Sequence, residues 1–388
     1  MQEQLPQPEL APATISPMPA TRATAGSVTR STALMLLFAT LGLATLSGSA
    51  AAKYNPKKAI WGPTRVNGQS AFPIYKNLGV GIYSMALDWS RIAARKPVHP
   101  TDPNDPAYRW PGSVDGDVRA ARRAGIHVNL EITYTPKWAN GGRAKQWAAT
   151  NPIEFGRFAA AAAKRYTAVH LWQIWGEPSR VKNFMPYDAA NGSSKSLTPG
   201  QARGPQKYAQ LVDAAYGALK PLPGRNMVIA GSTFTGGNIR TPLWIRYMKL
   251  PNGRPPRMDL YSHNPFSFRE PNLKNGASRA YNVDFSDVAR LDRTVSHYLA
   301  KPRGKKRLPL FLSEWCIPTG KDGEFNYQKT EAEQAKWINS AFKIVNRKDD
   351  PFIFALGWIH LQDGEGSMAG LIDSKGRKKP GYWAFRNG

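Results

Sequence analysis

A single cysteine, Cys316, serves a chain of 388 residues. One thiol excludes an intramolecular disulfide and a multi-cysteine zinc site, and its apolar neighbours predict a buried, inert group. Histidine is scarce too: the six are scattered, and none has the H-E-x-x-H spacing of a helical metal site. No G-x-S-x-G elbow offers a nucleophilic serine, and no glycine-rich turn after the first candidate strand offers a phosphate cradle. Metal, nicotinamide and flavin chemistry therefore find no support, and no cofactor is expected. Acidic residues are outnumbered, 27 against 53 basic, for a formal charge of +26, with one dense basic cluster at Lys301 to Arg307. Such a surface attracts polyanions in general, whether acidic polysaccharide, wall polymer, nucleic acid or anionic lipid, and it serves equally as a solvated surface with no dedicated partner.

Long apolar runs are confined to one place. Residues 1 to about 30 are rich in Pro, Ala, Thr and Gln without apolar periodicity, which predicts a tail. Arg22 and Arg30 precede the apolar run Ala33 to Leu46, and Ala50, Ala51 and Ala52 suit a signal peptidase. We read residues 1–52 as tail and export signal, with an uncleaved anchor as the alternative, and residues 53–388 as a secreted or surface-held domain. Beyond Ala52 no run approaches the ~20 apolar residues that span a membrane.

What is present is a regular alternation of strand and helix, with 41% hydrophobic residues to fill a core. Candidate strands are Ala59 to Gly62, Val80 to Leu87, His127 to Thr133, Val169 to Trp175, Met227 to Gly231, Met258 to Ser262, Leu308 to Ser313 and Phe352 to Trp358. Between them, Ser113 is a candidate helix cap, Pro152 opens an Ala-rich helix, and Thr330 with Glu333 forms a capping box. Eight strands with intervening helices, no fixed-period repeat and no second domain predict a single (β/α)8 TIM barrel, for which an open doubly wound sheet is the rival.

A barrel puts its working residues at the C-terminal ends of its strands. The fourth segment runs into Gly176, Glu177 and Pro178, and the seventh runs into Glu314 and Trp315. A glutamate at one strand end is usually solvated or ion-paired. Two of them on facing strands supply the acid and the carboxylate that glycosidic cleavage requires, and a gap of ~5 Å between them would select the retaining, covalent route.

WGEP and LSEW resemble the acid/base and nucleophile motifs of the clan A glycoside hydrolases, families 39 and 5 in particular. The similarity extends through LDWSRI (Leu87 to Ile92), ITYTPKWA (Ile132 to Ala139) and the ending GLIDSKGRKKPGYWAF (Gly370 to Phe385). It implies a retaining glycosidase with Glu177 as acid/base and Glu314 as nucleophile. It further implies a substrate site drawing on Trp358, His263, Asn264, Tyr134, Trp138, Trp89 and Gly176, and no metal.

Three positions depart from the clan pattern. Gly176 stands where an Asn usually contacts the sugar's 2-hydroxyl, Ser84 where an Arg usually supports the nucleophile, and Phe266 where an aromatic hydroxyl is usual. His263 is the candidate to compensate at Glu314. Of the other acids, Glu131 is expected to be ion-paired inside the barrel, and Asp88, Asp363 and Glu365 to approach substrate. The expected partner is a glycan, neutral or acidic, bound by a monomer without specific nucleic-acid recognition. The alternative is a noncatalytic carbohydrate- or polyanion-binding barrel of the cell surface.

Overall fold

Strands that are apolar on both faces need cover inside and out, and a closed parallel barrel ringed by helices supplies it. The computed structural model describes residues 55–278, 282–364 and 366–388. Eight parallel strands close in sequence order: β1 (Asn55–Trp61), β2 (Val80–Asp88), β3 (His127–Thr133), β4 (Leu171–Ile174), β5 (Met227–Phe234), β6 (Leu260–Asn264), β7 (Leu310–Trp315) and β8 (Ile353–Ile359), with β8 pairing back onto β1. The tail and export signal read over residues 1–52, and the acid Glu365, lie outside the described residues. Among the described residues no helix is long and apolar enough to cross a membrane.

Helices α1 (Phe72–Asn77), α2 (Trp89–Ile92), α3 (Gly112–Arg123), α4 (Pro152–Arg165), α5 (Pro199–Leu219), α6 (Thr241–Tyr247), α7 (Val288–Val295), α8 (Glu331–Val345) and α9 (Pro380–Asn387) surround the sheet. Pro152 does open α4, where Asn151 accepts a bond from the Ile153 N–H at 3.1 Å. Thr330 and Glu333 form the expected capping box on α8. Ser113 is not a cap: α3 begins one residue earlier, behind Pro111, with no side-chain cap.

Strand ends differ from expectation for identifiable backbone reasons. β4 stops at Ile174 because Trp175 turns into the left-handed region at φ 64°. β5 continues past Gly231 through an irregularity, with Gly231 at φ 105° and Ser232 at φ 43°. β7 runs on through Glu314 and Trp315, so Glu314 lies in the strand rather than after it.

Alternation along the strands builds the barrel interior in layers. Ala59, Ile82, Leu171, Ile229, Leu260, Phe311 and Ala355 form an apolar floor. Two residues further along four of these strands come Ser84, Gln173, Ser262 and Ser313, with Asn129 of β3 paired beside Ser84, all buried. The Asn129 amide donates to the Ser84 hydroxyl (3.2 Å) and to Gln173 Oε1 (3.0 Å), and the Ser262 and Ser313 hydroxyls bond each other at 2.6 Å. One further step up the strands lies the mouth.

The chain ending has a structural cause. Lys379 Nζ meets the Asp363 carboxylate at 2.5 Å and the Thr319 hydroxyl at 2.7 Å, and both members of the ion pair are almost fully buried. The Lys-Pro pair thus pins the loop after β8 to the start of α9. Asp363, expected near substrate, is committed to this pair and to the Gly370 N–H (2.8 Å). Asp363→Ala strands a buried ammonium and should lower unfolding free energy by about 3–5 kcal/mol, read from the denaturant midpoint. A loss under about 1 kcal/mol would show the pair to be dispensable.

Candidate active site

The mouth is built where strands end in strained turns. Tyr134 after β3 (φ 61°), Trp175 and Glu177 after β4 (φ 64° and 46°), Ser232 in β5 and His360 after β8 (φ 69°) all hold left-handed backbone. Side-chain-bearing residues adopt it at a cost of about 1–3 kcal/mol each, and such strain gathers at functional sites. Trp175 stays because its ring is buried and its indole N–H donates to the Asn183 carbonyl at 2.8 Å. The turn throws Glu177 into the mouth.

Three donors hold the Glu177 carboxylate. Arg180 Nη1 ion-pairs with Oε2 at 2.5 Å, the Asn183 amide donates to the same oxygen at 3.3 Å, and the Asn264 amide donates to Oε1 at 3.2 Å. The Arg180 guanidinium lies over the Phe234 ring at 4.6 Å. Arg180 and Asn183 were not singled out in the sequence; their only signal is their spacing of three and six residues from Glu177.

Glu314 faces Glu177 from β7. Its proton is held far above the ordinary carboxyl range, chiefly by burial, then by repulsion from Glu177, Glu131 and Glu324, while the Asn264 amide favours the charged form. Asn264 thus serves both carboxyls: its Oδ1 accepts from the Ser313 hydroxyl at 2.7 Å, which leaves its amide hydrogens for Glu177 and Glu314.

A third carboxyl joins them. Glu131 is buried but is not ion-paired as expected; the Gln173 amide donates to its Oε2 at 2.5 Å. Burial first, and the charge of Glu177 after it, push its pKa up to about 8, against the opposing pull of the Gln173 bond. A Cβ on Gly176 would lie 2.6 Å from Glu131 Oε1, so the glycine and the carboxyl occupy one space between them.

The remaining candidates divide. Tyr134 is half-buried, edge-on to Trp175 at 6.2 Å, with Lys145 Nζ 4.0 Å over its ring. Trp138 is partly exposed and tied by its indole N–H to the Ala93 carbonyl (2.7 Å). Trp89 and Trp358 are core instead: Trp89 packs on Phe158 and Phe155, and Trp358 packs edge-on to Trp315 at 5.5 Å, so neither offers a ring face.

His263 is also interior. Its Nε2–H donates to the Val283 carbonyl and its Nδ1 accepts from the Thr233 hydroxyl, both at 2.8 Å. Burial lowers its pKa to about 4 and it cannot support Glu314. Asp88 caps α2 through the Arg91 N–H (3.2 Å). Ser84 belongs to the polar layer, and Phe266 packs between Phe234 (5.6 Å) and Phe325 (5.0 Å). Phe325 continues through Tyr327 to the exposed Phe268, an aromatic wall drawn from the end of β5 and the loops after β6 and β7 and therefore missed in the sequence. Among the described residues no three His, Cys, Asp or Glu side chains are grouped to hold a metal ion.

No protein-family model and no curated protein matches the chain. Solved structures do. A family 39 glycoside hydrolase from Bacteroides cellulosilyticus WH2 superposes with TM-score 0.58 at 16% identity, over 85% of this chain and 62% of that one. A glucosidase from Croceicoccus marinus does so with TM-score 0.58 at 14% identity, over 86% and 65%. A fungal β-1,4-galactanase, at TM-score 0.51 and 16% identity, is spanned over 98% of its length by 85% of this chain. The chain thus covers less than two thirds of the first two structures and nearly all of the third. The fold is the closed eight-strand parallel barrel that these structures share.

Proposed function

We propose that the chain is a retaining glycoside hydrolase, with Glu314 as nucleophile and Glu177 as acid/base. The observation that carries this reading is the convergence of two carboxyls at the mouth, Glu177 held by the Asn264 amide at 3.2 Å and Glu314 close enough for the charge of Glu177 to raise its pKa. Retention requires the two carboxyls to lie ~5–5.5 Å apart, without the ~6.5–9.5 Å that leaves room for a water. Glu314 attacks the anomeric carbon while Glu177 protonates the leaving oxygen; Glu177 then takes a proton from the water that releases the sugar. One barrel supplies every group in this scheme, so a monomer suffices. Export by the N-terminal segment would place it outside the cell.

Charge in the site is arranged around Arg180 and the buried Glu314. Arg180 grips the Glu177 carboxylate, and burial holds a proton on Glu314. The first step needs a protonated Glu177 and a charged Glu314. An anionic substituent on the glycan would draw Arg180 from Glu177, and with Lys145 over Tyr134 it favours an acidic glycan as substrate. The same grip, and the burial of Trp358, also suit a noncatalytic polyanion-binding barrel.

Residues 53–388 should release sugar from a panel of β-linked and acidic glycans with the anomeric configuration retained, as read by proton NMR. Glu314→Ala should abolish release, and Glu177→Gln should lower kcat by about 10²–10⁴-fold. Binding without release by the parent would move the assignment to the noncatalytic barrel. Arg180→Gln should raise KM for acidic glycans and leave KM for neutral ones within about twofold, and added salt should mimic it. An equal effect on both glycan classes would remove the case for an acidic substrate.

A further inference from the structure

We infer that Glu131 is a third working carboxyl of this site, donating a hydrogen bond to bound substrate from the room that Gly176 leaves open. This rests on the hydrolase reading above and deepens it.

Three observations converge. The first is a directed chain of hydrogen bonds. Asn129 donates to Gln173 Oε1, and Gln173 donates to Glu131 Oε2, so the chain that begins in the polar layer ends at Glu131. An oxygen that accepts from Gln173 leaves the carboxyl proton to Oε1. The second is space. Oε1 is the oxygen lying 2.6 Å from the Cβ position of Gly176, immediately before Glu177, and any side chain there would displace it. Glu131 is itself buried, with 6% of its surface exposed, so this oxygen lies packed against the residue that precedes Glu177.

The third is charge. The titratable groups coupled to Glu131 are Glu177 after β4, Glu314 on β7, Tyr134 after β3 and Tyr208 on α5. Among the described residues no cation is ion-paired with it, and the charge of Glu177 opposes its ionisation. The neutral form is therefore the one that fits, and a neutral carboxyl with its proton on Oε1 is a donor. A sugar hydroxyl next to the reacting bond is the chemical partner it suits, accepting the bond without a proton changing owner.

The sign of the pH dependence follows. An unfolded glutamate ionises near ~4.3 and the folded Glu131 near 8. The folded state therefore holds one more proton across that window, and parent stability declines as pH rises through it. Glu131→Gln keeps an amide donor and removes the titration.

Glu131→Ala should lower kcat/KM at pH 7 by about tenfold or more, the loss of a substrate hydrogen bond. The parent should show an alkaline fall in kcat/KM near pH 8, and Glu131→Gln should recover part of the loss and remove that fall. The Gln variant should also melt higher than the parent at pH 8, with the gap closing towards pH 4. An alkaline limb that stays put in Glu131→Gln, while the parent hydrolyses glycans, overturns the inference and leaves the hydrolase reading standing. A melting gap independent of pH overturns it without any substrate. A parent that binds glycans and hydrolyses none removes both.

Discussion

Like charges crowd the mouth of this barrel, and most of its polar architecture answers that crowding. Glu131, Glu177 and Glu314 converge from three strands, with Glu324 nearby. Each is met differently. Glu177 takes Arg180 and two amides, Glu131 stays neutral against Gln173, and Glu314 is left with the Asn264 amide and a proton. A site arranged this way stores electrostatic stress that a developing positive charge on a sugar would relieve, which is how preorganised charge accelerates a reaction.

The support for that arrangement runs downward through the barrel. The apolar floor closes the bottom, and the hydrogen-bonded layer of Ser84, Asn129, Gln173, Ser262 and Ser313 orients the groups above it. Asn264 points its amide at the carboxyls because Ser313 occupies its oxygen. His263, placed one residue earlier on β6, faces away from the mouth by the same alternation and is spent on Thr233 and Val283. The left-handed turns at Trp175 and Glu177 are sustained by the buried Trp175 ring, so packing pays for the strain of the site.

The barrel itself was legible in the sequence, because alternating strand and helix segments with capping signals at Pro152 and Thr330 leave few other closures. Glu177 and Glu314 were legible because strand-end carboxylates flanked by tryptophan are a local pattern. The rest depended on contacts between distant strands. Burial of Trp358 and Trp89 could not be read from spacing, since an aromatic at a strand end serves core and cleft equally. The neutral state of Glu131 arises from its burial and from the charge of Glu177 after the next strand, against the pull of Gln173, and its place depends on the absence of a side chain at Gly176. Arg180 acquires meaning only through its bond to Glu177.

The most direct test of the central claim is to trap the covalent intermediate with a slow, activated fluorinated glycoside of whichever sugar is released, and to map the labelled peptide by mass spectrometry. One sugar bonded to Glu314 is the predicted result. Turnover of the reagent without any adduct, or an adduct on Glu177 or Glu131, would contradict the roles given to these three carboxyls.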